Sequence, residues 1–378
     1  MASLYERLKN ALPIDKHAAE EIPSELMVIS RRVPLGEVHV SAFDSQTLAW
    51  MSNGTIQEGF SPGELLFFDT ETTGLSRGAG TVAFLIGYGR IDGQELEITQ
   101  VLMRDYPQEA RLLETFLNQV RASRCLVSFN GSGFDLPLLQ GRLIMNRLGE
   151  DLSRWLHLDL LHTARRIFKL RLGRCSLTRL EQVVFNHVRE DDLPGAQVPA
   201  RYFEYLNTRD EGQLSDVLDH NRQDILALVW LYLCMAALYA NPLDSAHHQD
   251  LFSLGRAFER LGQSDRAITC YKACSEKTVR DLARLRMAEM YRKQRMDQEA
   301  VTVFEDLRQS GRVSARVYIS LAKIYEHRFR DPQRALEITR QGMLYCSQRL
   351  GCDCSEDRDF QDLERRSLRL MRKVEKTQ

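Results

Sequence analysis

The spacing of apolar and polar positions divides the chain into stretches of different character. From about residue 64, short apolar runs bounded by turn residues alternate with amphipathic segments, beginning with the run Leu65–Phe68. Short apolar runs of this kind indicate buried strands, whereas apolar positions three or four residues apart indicate helices. After residue 245 the strand pattern ends and helical periodicity continues. The pattern therefore predicts an α/β domain followed by an all-α domain.

Within the α/β stretch, the order of the elements predicts a mixed sheet flanked by helices. Thr81–Ile91 and Gln94–Met103 have strand patterns, and Asp92-Gly93 between them is a strong hairpin signal. An amphipathic helix over Pro107–Ser123 and a buried strand over Cys125–Asn130 follow. Helical patterns are predicted from there to about residue 240.

The stretch before this sheet has a weaker pattern. A charged helical opening precedes Ser30–Phe43, which alternates like a strand and is expected to pack onto the sheet or to help hold a substrate. We divide the chain into an N-terminal extension (1–60), the α/β domain (61–242), the all-α repeats (246–350) and a charged C-terminal tail (351–378).

The all-α stretch contains an internal repeat of 33 to 35 residues, the tetratricopeptide period. Small residues recur where two helices would cross closely, and aromatic residues recur beside them. The positions in register are Gly255, Ala288 and Ala322; Phe258, Tyr291 and Tyr325; and Ala267, Ala300 and Ala335. A partner protein bound to these repeats is a further expectation.

Composition narrows the class of protein. A net charge of −1 argues against indiscriminate coating of nucleic acid, so a nucleic-acid substrate would need a local basic groove or bound cations. The apolar run Ile225–Ala240 is shorter than a membrane span needs, so a buried helix and no membrane contact are predicted. The N-terminus has no secretory pattern, and most of the eight cysteines stand singly, which favours reduced thiols in the cytoplasm. Cys352 and Cys354 lack the second pair that a structural zinc site usually has.

Five acidic or imidazole side chains stand near predicted element ends. Asp69 and Glu71 follow a buried strand, Asp135 follows a glycine turn, and His220 and Asp224 lie one helical turn apart. Taken singly, each has an ordinary explanation as a turn, a helix cap or a surface contact. Four converging carboxylates repel one another unless cations neutralise them, and oxygen ligands suit Mg²⁺ or Mn²⁺. Two such ions can cleave a phosphodiester, with His220 as general base.

Three stretches carry a family resemblance. FFDTETTGL, FNGSGFDLP and HNRQD resemble the exonuclease motifs of the DEDD superfamily of 3′–5′ exonucleases, which has the ribonuclease-H-like fold. Within that superfamily the chain is most similar to the YprB-type ribonuclease-H-like proteins of bacteria. The segments HLDLLHTARRIF and Arg189–Asp210 fit that group as well, and the resemblance covers about Glu64 to Leu233.

The resemblance implies roles for individual residues. Asp69, Glu71, Asp135 and Asp224 match the ligands of two divalent cations, and His220 falls at the water-activating position. His220 precedes Asp224 by four residues, which is the spacing of the tyrosine-type subfamily. Three roles are open for His220: to activate water, to contact a phosphate, or to hold Asp224 in place.

Substrate contacts are predicted in the same region. Thr70, Thr72 and Gly74 are expected to shape the turn that admits a 3′ end, and a basic face on Thr163–Arg174 to bind phosphates. The substrate-binding residues predicted are Thr70, Thr72, Gly74, Asn130, Phe134, Arg165 and Arg166. Tyr202 is a candidate for base stacking, with core packing favoured over stacking for Phe134, and Asp159 is interpreted as structural.

The sequence thus predicts a metal-dependent 3′–5′ exonuclease that hydrolyses DNA or RNA, single-stranded 3′ ends above all, by a two-metal mechanism. The alternative is a catalytically weak or inactive nucleic-acid-binding module with repeats that recruit a protein partner.

Overall fold

The computed structural model describes residues 25–35, 45–57, 61–74, 78, 80–189, 192–310 and 314–376. The predicted charged helix at the N-terminus lies outside these residues. Two compact units are present. The first comprises the described residues within Met1–Val40, Phe60–Leu160 and Leu180–Tyr232, and the second those within Ser41–Gly59, Leu161–Arg179 and Leu233–Gln378.

The described part of the first unit contains one mixed sheet of six strands. In chain order the strands are β1 (Met27–Pro34), β2 (Leu65–Thr72), β3 (Ala83–Asp92), β4 (Glu95–Leu102), β5 (Cys125–Ser128) and β6 (Leu156–Asp159). Their order across the sheet is β1-β4-β3-β2-β5-β6. Antiparallel pairing joins β1 to β4, β4 to β3 and β3 to β2, whereas β2, β5 and β6 run parallel. The predicted hairpin between β3 and β4 turns at Gly93, which has a φ of 60° that glycine adopts readily.

Helices pack around this sheet over apolar side chains from both. Those of the first unit are α2 (Glu109–Arg121), α3 (Asp135–Met145), most of α5 (Leu177–Val184), α6 (Val198–Thr208) and most of α7 (Ser215–Ala240). The side chains of β2 alternate between two buried faces, because Phe67 meets Tyr232 of α7 and Phe68 meets Phe116 of α2. Strands that are apolar on both faces are typical of sheets covered by helices on both sides.

Two strands differ from the sequence-based expectation. The stretch at Leu156–Asp159 was predicted to be helical, and this prediction was wrong because it pairs in parallel with β5 as β6. Four residues are too few to show a period of two. Part of the alternating N-terminal stretch does form a strand, since β1 pairs with β4 along the edge of the sheet.

The second unit is all-helical in its described residues. Its helices are α1 (Ser45–Met51), α4 (Leu160–Leu172), α8 (His248–Arg260), α9 (Ser264–Ala273), α10 (Arg280–Lys293), α11 (Asp297–Gln309), α12 (Ala315–His327), α13 (Pro332–Leu350) and α14 (Arg358–Glu375). The predicted small positions lie at close helix crossings. A Cβ added to Gly255 would stand 2.7 Å from the Tyr271 ring, and Ala267, Ala288 and Ala300 are fully buried.

Residues predicted as a charged tail form the last helix of this unit. Leu363 and Leu370 of α14 are fully buried. The buried carboxylate of Glu326 in α12 accepts hydrogen bonds from Arg366 at 2.9 Å and Lys373 at 2.7 Å. The apolar face of α14 was hidden in sequence by the charges that surround it.

The apolar run near residue 230 lies in α7. The helical segment Glu211–Ala240 is long and apolar enough to cross a membrane, and 56% of its apolar window is buried inside the protein. Ile225, Leu228 and Tyr232 are among its buried side chains. The same run therefore serves as a core helix here.

Candidate active site

A pocket of about 210 Å³ in the first unit brings together most of the predicted residues. Those that line it are Asp69, Thr70, Glu71, Thr72, Phe134, His220 and Asp224. Gly195, Val198 and Pro199 complete the wall at the start of α6. Four segments that are far apart in sequence therefore meet at one place.

Asp69 and Glu71 share one face of β2. They lie two residues apart in a strand, so their side chains point the same way. Asp69 stands opposite Gly87 and Glu71 opposite Leu85 of β3. The apolar pattern predicts that the strand ends before Glu71, which then lies in the turn beyond it. That prediction was wrong, because β2 stays paired through Thr72 and shifts register only between Glu71 and Thr72.

Asp135 is tied to the same strand by a hydrogen bond. It is the first residue of α3, which begins directly after Phe134. Thr70 of β2 donates its hydroxyl to Asp135 Oδ1 at 2.5 Å. Asp135 is buried and does not line the pocket itself. Thr70, predicted as a substrate contact, therefore holds an acid of the site in this structure.

Helix α7 contributes three neighbouring polar residues. His220 and Asp224 lie one turn apart and face the pocket. Asn221 between them is fully buried, and its amide donates to Asp69 Oδ2 at 3.1 Å. A Cβ on Gly87 would stand 2.0 Å from the Asn221 side-chain oxygen, so a glycine there makes room for this contact. Asn221 was not among the predicted site residues, although it lies inside the HNRQD motif.

Arg189 is a second residue of the site that was not among those predicted from sequence. Its side chain is 2% exposed and forms ion pairs with three carboxylates. The distances are 2.5 Å to Asp224, 2.7 Å to Glu181 and 3.2 Å to Asp192. Burial opposes the charge on Arg189, but Asp224 and Glu181 outweigh burial and raise the pKa of the guanidinium. One cation thus lies among the acids of the site. The available signal was its place in the segment Arg189–Asp210, which the resemblance had included.

His220 is oriented by a carboxylate outside its own helix. Its Nδ1 lies 2.7 Å from Asp192 Oδ1, and its Nε2 lies 3.8 Å from Asp224 Oδ2. The first distance is that of a hydrogen bond and the second is too long for one. With Nδ1 donating to Asp192, Nε2 is the acceptor nitrogen of the neutral ring. Of the three roles weighed for His220, holding Asp224 is the one that this geometry does not provide.

The acids of the pocket raise one another's pKa. Burial, and then the charge of Asp224, raise the pKa of Asp69 and of Glu71 well above the usual values. Burial also raises the pKa of Asp135, to about 6, although the Thr70 hydrogen bond acts in the opposite direction. Raised pKa values of this kind indicate that nearby positive charge does not balance the negative charge of the ionised carboxylates.

The raised pKa values predict how stability depends on pH without divalent cations. A carboxyl whose pKa is higher in the folded state binds more protons there, so folding loses stability as pH rises. In EDTA we expect the free energy of unfolding to fall from about pH 4 through pH 6, where Asp135 ionises, and the raised pKa values of Asp69 and Glu71 act in the same direction. Urea unfolding at several pH values measures this. Asp135→Asn should flatten the part of the curve around pH 6, and a wild-type profile that rises steadily over this range contradicts the prediction.

Other predicted contacts stabilise the turns around the pocket. The Thr72 hydroxyl donates to the Gly74 carbonyl at 2.7 Å. Asn130 has a φ of 66°, and its backbone N–H donates to Asp159 Oδ1 at 2.8 Å. Asp159 thereby holds the glycine turn that leads into α3. Gly74 and Asn130 are not among the residues that line the pocket.

The two aromatic candidates have different places. Phe134 lines the pocket while packing partly against the core. Tyr202 is fully buried, stacks on Phe84 with ring centroids 4.0 Å apart, and donates to the Met103 carbonyl at 3.1 Å. The suggestion that Tyr202 stacks on a base was wrong, because no part of the ring is accessible.

Arg165 and Arg166 belong to α4 of the second unit. They line a pocket of that unit together with other cations and are not among the residues of the acidic pocket. The structure therefore does not group these two predicted phosphate contacts with the acids.

The donor set of the acidic pocket suits a hard divalent cation. Carboxylate oxygens are the ligands that Mg²⁺ and Mn²⁺ prefer. Among the residues that the structure describes, no group of three or more His, Cys, Asp or Glu side chains is arranged to hold an ion as it stands. Arg189 engages Asp224 and Thr70 engages Asp135. The chemistry of the residues fits such ions, and exchange of Arg189 for a cation at Asp224 would complete the set.

Comparison with protein-family models agrees with this architecture. A model of the RNase_H superfamily matches residues 66–236, and two tetratricopeptide-repeat models match residues 251–285 and 282–310. The chain is thus a ribonuclease-H-like protein with a nuclease-type fold, followed by an all-helical tetratricopeptide region, as the sequence predicted.

A relative defines the family more narrowly. The Bacillus subtilis (strain 168) protein described as "Uncharacterized protein YprB" is 32% identical over 330 residues, which cover 85% of this chain and 78% of that protein. The chain therefore belongs to the YprB family, which confirms the resemblance. Among solved structures, the family B DNA polymerase of the hyperthermophilic archaeon Pyrobaculum calidifontis matches with a TM-score of 0.37 and 17% identity. That match covers 55% of this chain and 30% of the polymerase chain.

Proposed function

We propose that this protein is a metal-dependent 3′–5′ exonuclease that hydrolyses phosphodiester bonds of DNA or RNA. The observation that carries the proposal is the pocket in which Asp69, Glu71, His220 and Asp224 meet. Asp135 adjoins it through Thr70. Such a set of acids has no evident structural use, because each raises the cost of ionising the others.

Asp69, Glu71, Asp135 and Asp224 would hold two divalent cations, Mg²⁺ or Mn²⁺. When bound, a pair of such ions supplies the positive charge that in-line displacement at a phosphodiester requires. The protein's own part is to hold these carboxylates in place. Asn221 orients Asp69, and Thr70 orients Asp135.

His220 is the proposed general base. The Nδ1–H of His220 donates a hydrogen bond to Asp192, which selects the tautomer whose Nε2 can take a proton from the attacking water. After the transfer, the imidazolium is stabilised by Asp192 and lies near Asp224. The dyad supports this role for His220 despite the four-residue spacing from Asp224.

Several features favour cleavage at the 3′ end of a single strand. The pocket is small and is walled on one side by Val198 and Pro199. A space of about 210 Å³ suits the terminal part of a strand better than a passing duplex. Phe134 in its wall would contact the last sugar or base.

The test is digestion of 5′-labelled single-stranded and duplex DNA and RNA with Mg²⁺ or Mn²⁺. We expect a ladder that shortens from the 3′ end, no cleavage in EDTA, and resistance when the 3′ terminus carries a blocking phosphate group. Internal cleavage of a 3′-blocked strand would indicate endonuclease activity and would contradict the proposed exonuclease activity. If no substrate were cleaved with either metal, the proposed nuclease activity would be ruled out.

One observation favours a second candidate, a weak or inactive nucleic-acid-binding module whose repeats recruit a protein partner. The Arg189 guanidinium Nη2 lies 2.5 Å from Asp224 Oδ1, so Arg189 competes with a metal cation for this carboxylate. Binding of labelled strands without cleavage, together with a partner that is lost when residues after 245 are deleted, would support this alternative.

A further inference from the structure

The second unit contains a pocket of about 490 Å³ that is lined almost wholly by cations. Its lining residues are Arg165, Arg166, Lys169, Leu170, Ser253, Arg256 and Arg260. The first four lie on α4 and the other three on α8. Five positive side chains therefore face one pocket in a chain with a net charge of −1.

These charges are not neutralised within the described part of the protein. Arg165, Lys169, Arg256 and Arg260 are exposed, and no described carboxylate forms an ion pair with any of them. The acids that lie nearest in sequence have other partners. Asp250 pairs with Arg171 at 2.7 Å, and Glu259 accepts the Tyr271 hydroxyl at 2.8 Å.

The spacing along each helix concentrates the charge. Arg165 and Lys169 are four residues apart, as are Arg256 and Arg260, so each pair lies on one helix face. Like charges at this spacing destabilise a helix, and an anion bound between them removes that cost. Two such pairs on two helices exceed what a single phosphate group can contact, because each pair extends about 6 Å along its helix.

Arg166 is held in place in this pocket by hydrogen bonds. It is half-buried and donates to the Met51 carbonyl and, at 2.9 Å, to the Thr163 hydroxyl. Burial and then Arg260 lower its pKa, with Tyr239 acting in the opposite direction. Its Nε is buried and has no hydrogen-bond partner among the described residues. A bound anion would offset the repulsion between Arg166 and Arg260.

We propose that this pocket of the second unit binds the phosphodiester backbone of a single-stranded nucleic acid. Guanidinium groups match phosphate oxygens through two parallel hydrogen bonds, and the exposed Leu170 offers an apolar contact to a base. The choice of nucleic acid over other anions rests on the proposed nuclease function. The helical unit is then a substrate-holding part of the enzyme in addition to any role in protein binding.

The test is fluorescence anisotropy with 5′-labelled oligothymidylate and oligouridylate of about 20 nucleotides, titrated with the full chain in EDTA at several salt concentrations. Arg256→Gln/Arg260→Gln removes two exposed cations of α8. Each lost contact should reduce the slope of log K against log salt by ~0.7, so the double variant should lose ~1.4. At about 0.1 M salt this corresponds to binding weakened roughly 20-fold.

Arg365→Gln/Arg372→Gln is the matched control. It removes the same charge from exposed positions of α14, which have no ion pair among the described residues, and should change the slope little. The proposal is overturned if the α8 variant keeps the wild-type affinity and slope, or if both variants weaken binding equally. Because EDTA removes divalent cations, binding can persist even if the acidic pocket proves unable to cleave, and cleavage can persist even if this pocket does not bind.

Discussion

Asp69→Asn is expected to reduce hydrolysis of single-stranded substrate by about 10³-fold or more while the protein stays folded. Metal ions in such sites contribute several kcal/mol of transition-state stabilisation, and each ~1.4 kcal/mol is a factor of ten in rate. Asparagine is a poorer ligand because it is neutral. It can still accept the hydrogen bond that Asn221 donates to this position, so the local packing is kept.

The stability of the same variant is part of the prediction. The pKa of Asp69 is raised by burial and by Asp224, so its charge costs stability when divalent cations are absent. Asp69→Asn should therefore be at least as stable as the wild type in EDTA near neutral pH. Loss of activity joined to retained or increased stability indicates a catalytic role, whereas loss of both indicates damage to the fold.

The measurement is the rate of ladder formation from a 5′-labelled strand in Mg²⁺ or Mn²⁺, with thermal unfolding followed in parallel. Asp219→Asn is the control, since Asp219 is an exposed residue of α7 that pairs only with Arg222 among the described residues. It should leave the rate within about twofold of wild type, because surface pairs contribute little. An Asp69→Asn protein that degrades the strand at the wild-type rate would rule out a metal-ligating role for this residue.

Arg189→Gln is expected to destabilise the protein by about 3–5 kcal/mol in EDTA, which is the usual cost of removing one partner from a buried ion pair. Arg189 is 2% exposed and contacts three carboxylates. Without its charge, Glu181, Asp192 and Asp224 lose their shared counter-ion, and the repulsion of Asp224 on Asp69 and Glu71 grows.

Divalent cations should restore part of this loss. The variant frees Asp224 for a metal, so Mg²⁺ or Mn²⁺ should stabilise Arg189→Gln more than they stabilise the wild type. Urea unfolding with and without metal measures both effects. Arg189→Lys separates charge from shape, because lysine keeps the charge but lacks the planar fork that reaches three acids.

Arg222→Gln serves as the surface control for this experiment. Arg222 pairs with the exposed Asp219 at 3.2 Å, and its loss should cost no more than about 1 kcal/mol. If Arg189→Gln were as stable as this control, or if metal stabilised wild type and variant equally, Arg189 would not be the internal counter-ion of the acids.

Much of the fold was predictable because its signals are local. The apolar run at Leu65–Phe68, the Asp92-Gly93 turn and the 33-to-35-residue repeat each depend on a few neighbouring positions. A strand too short to show a period was missed, and the helical segment expected in the charged tail was predicted without its buried apolar face. β6 has four residues, and α14 hides Leu363 and Leu370 among charges.

The candidate site was likewise predictable only in part. Its acids were recognisable because three motifs occur in a set order, and the pocket does unite Asp69, Glu71 and Asp224. Their orienting partners were not recognisable. Asn221 and Asp192 are ordinary polar residues in sequence, and only their distances to Asp69 and His220 give them a role.

The sequence by itself determined the class of each domain and the period of the repeats, and it singled out the candidate acids, because residue type and spacing carry that information. The tertiary structure decided that Arg189 lies among the acids, that Tyr202 is buried in the core, and that Arg165 and Arg166 share a pocket with Arg256 and Arg260. These facts depend on contacts between residues distant in the chain, and such contacts follow from burial and charge pairing in three dimensions.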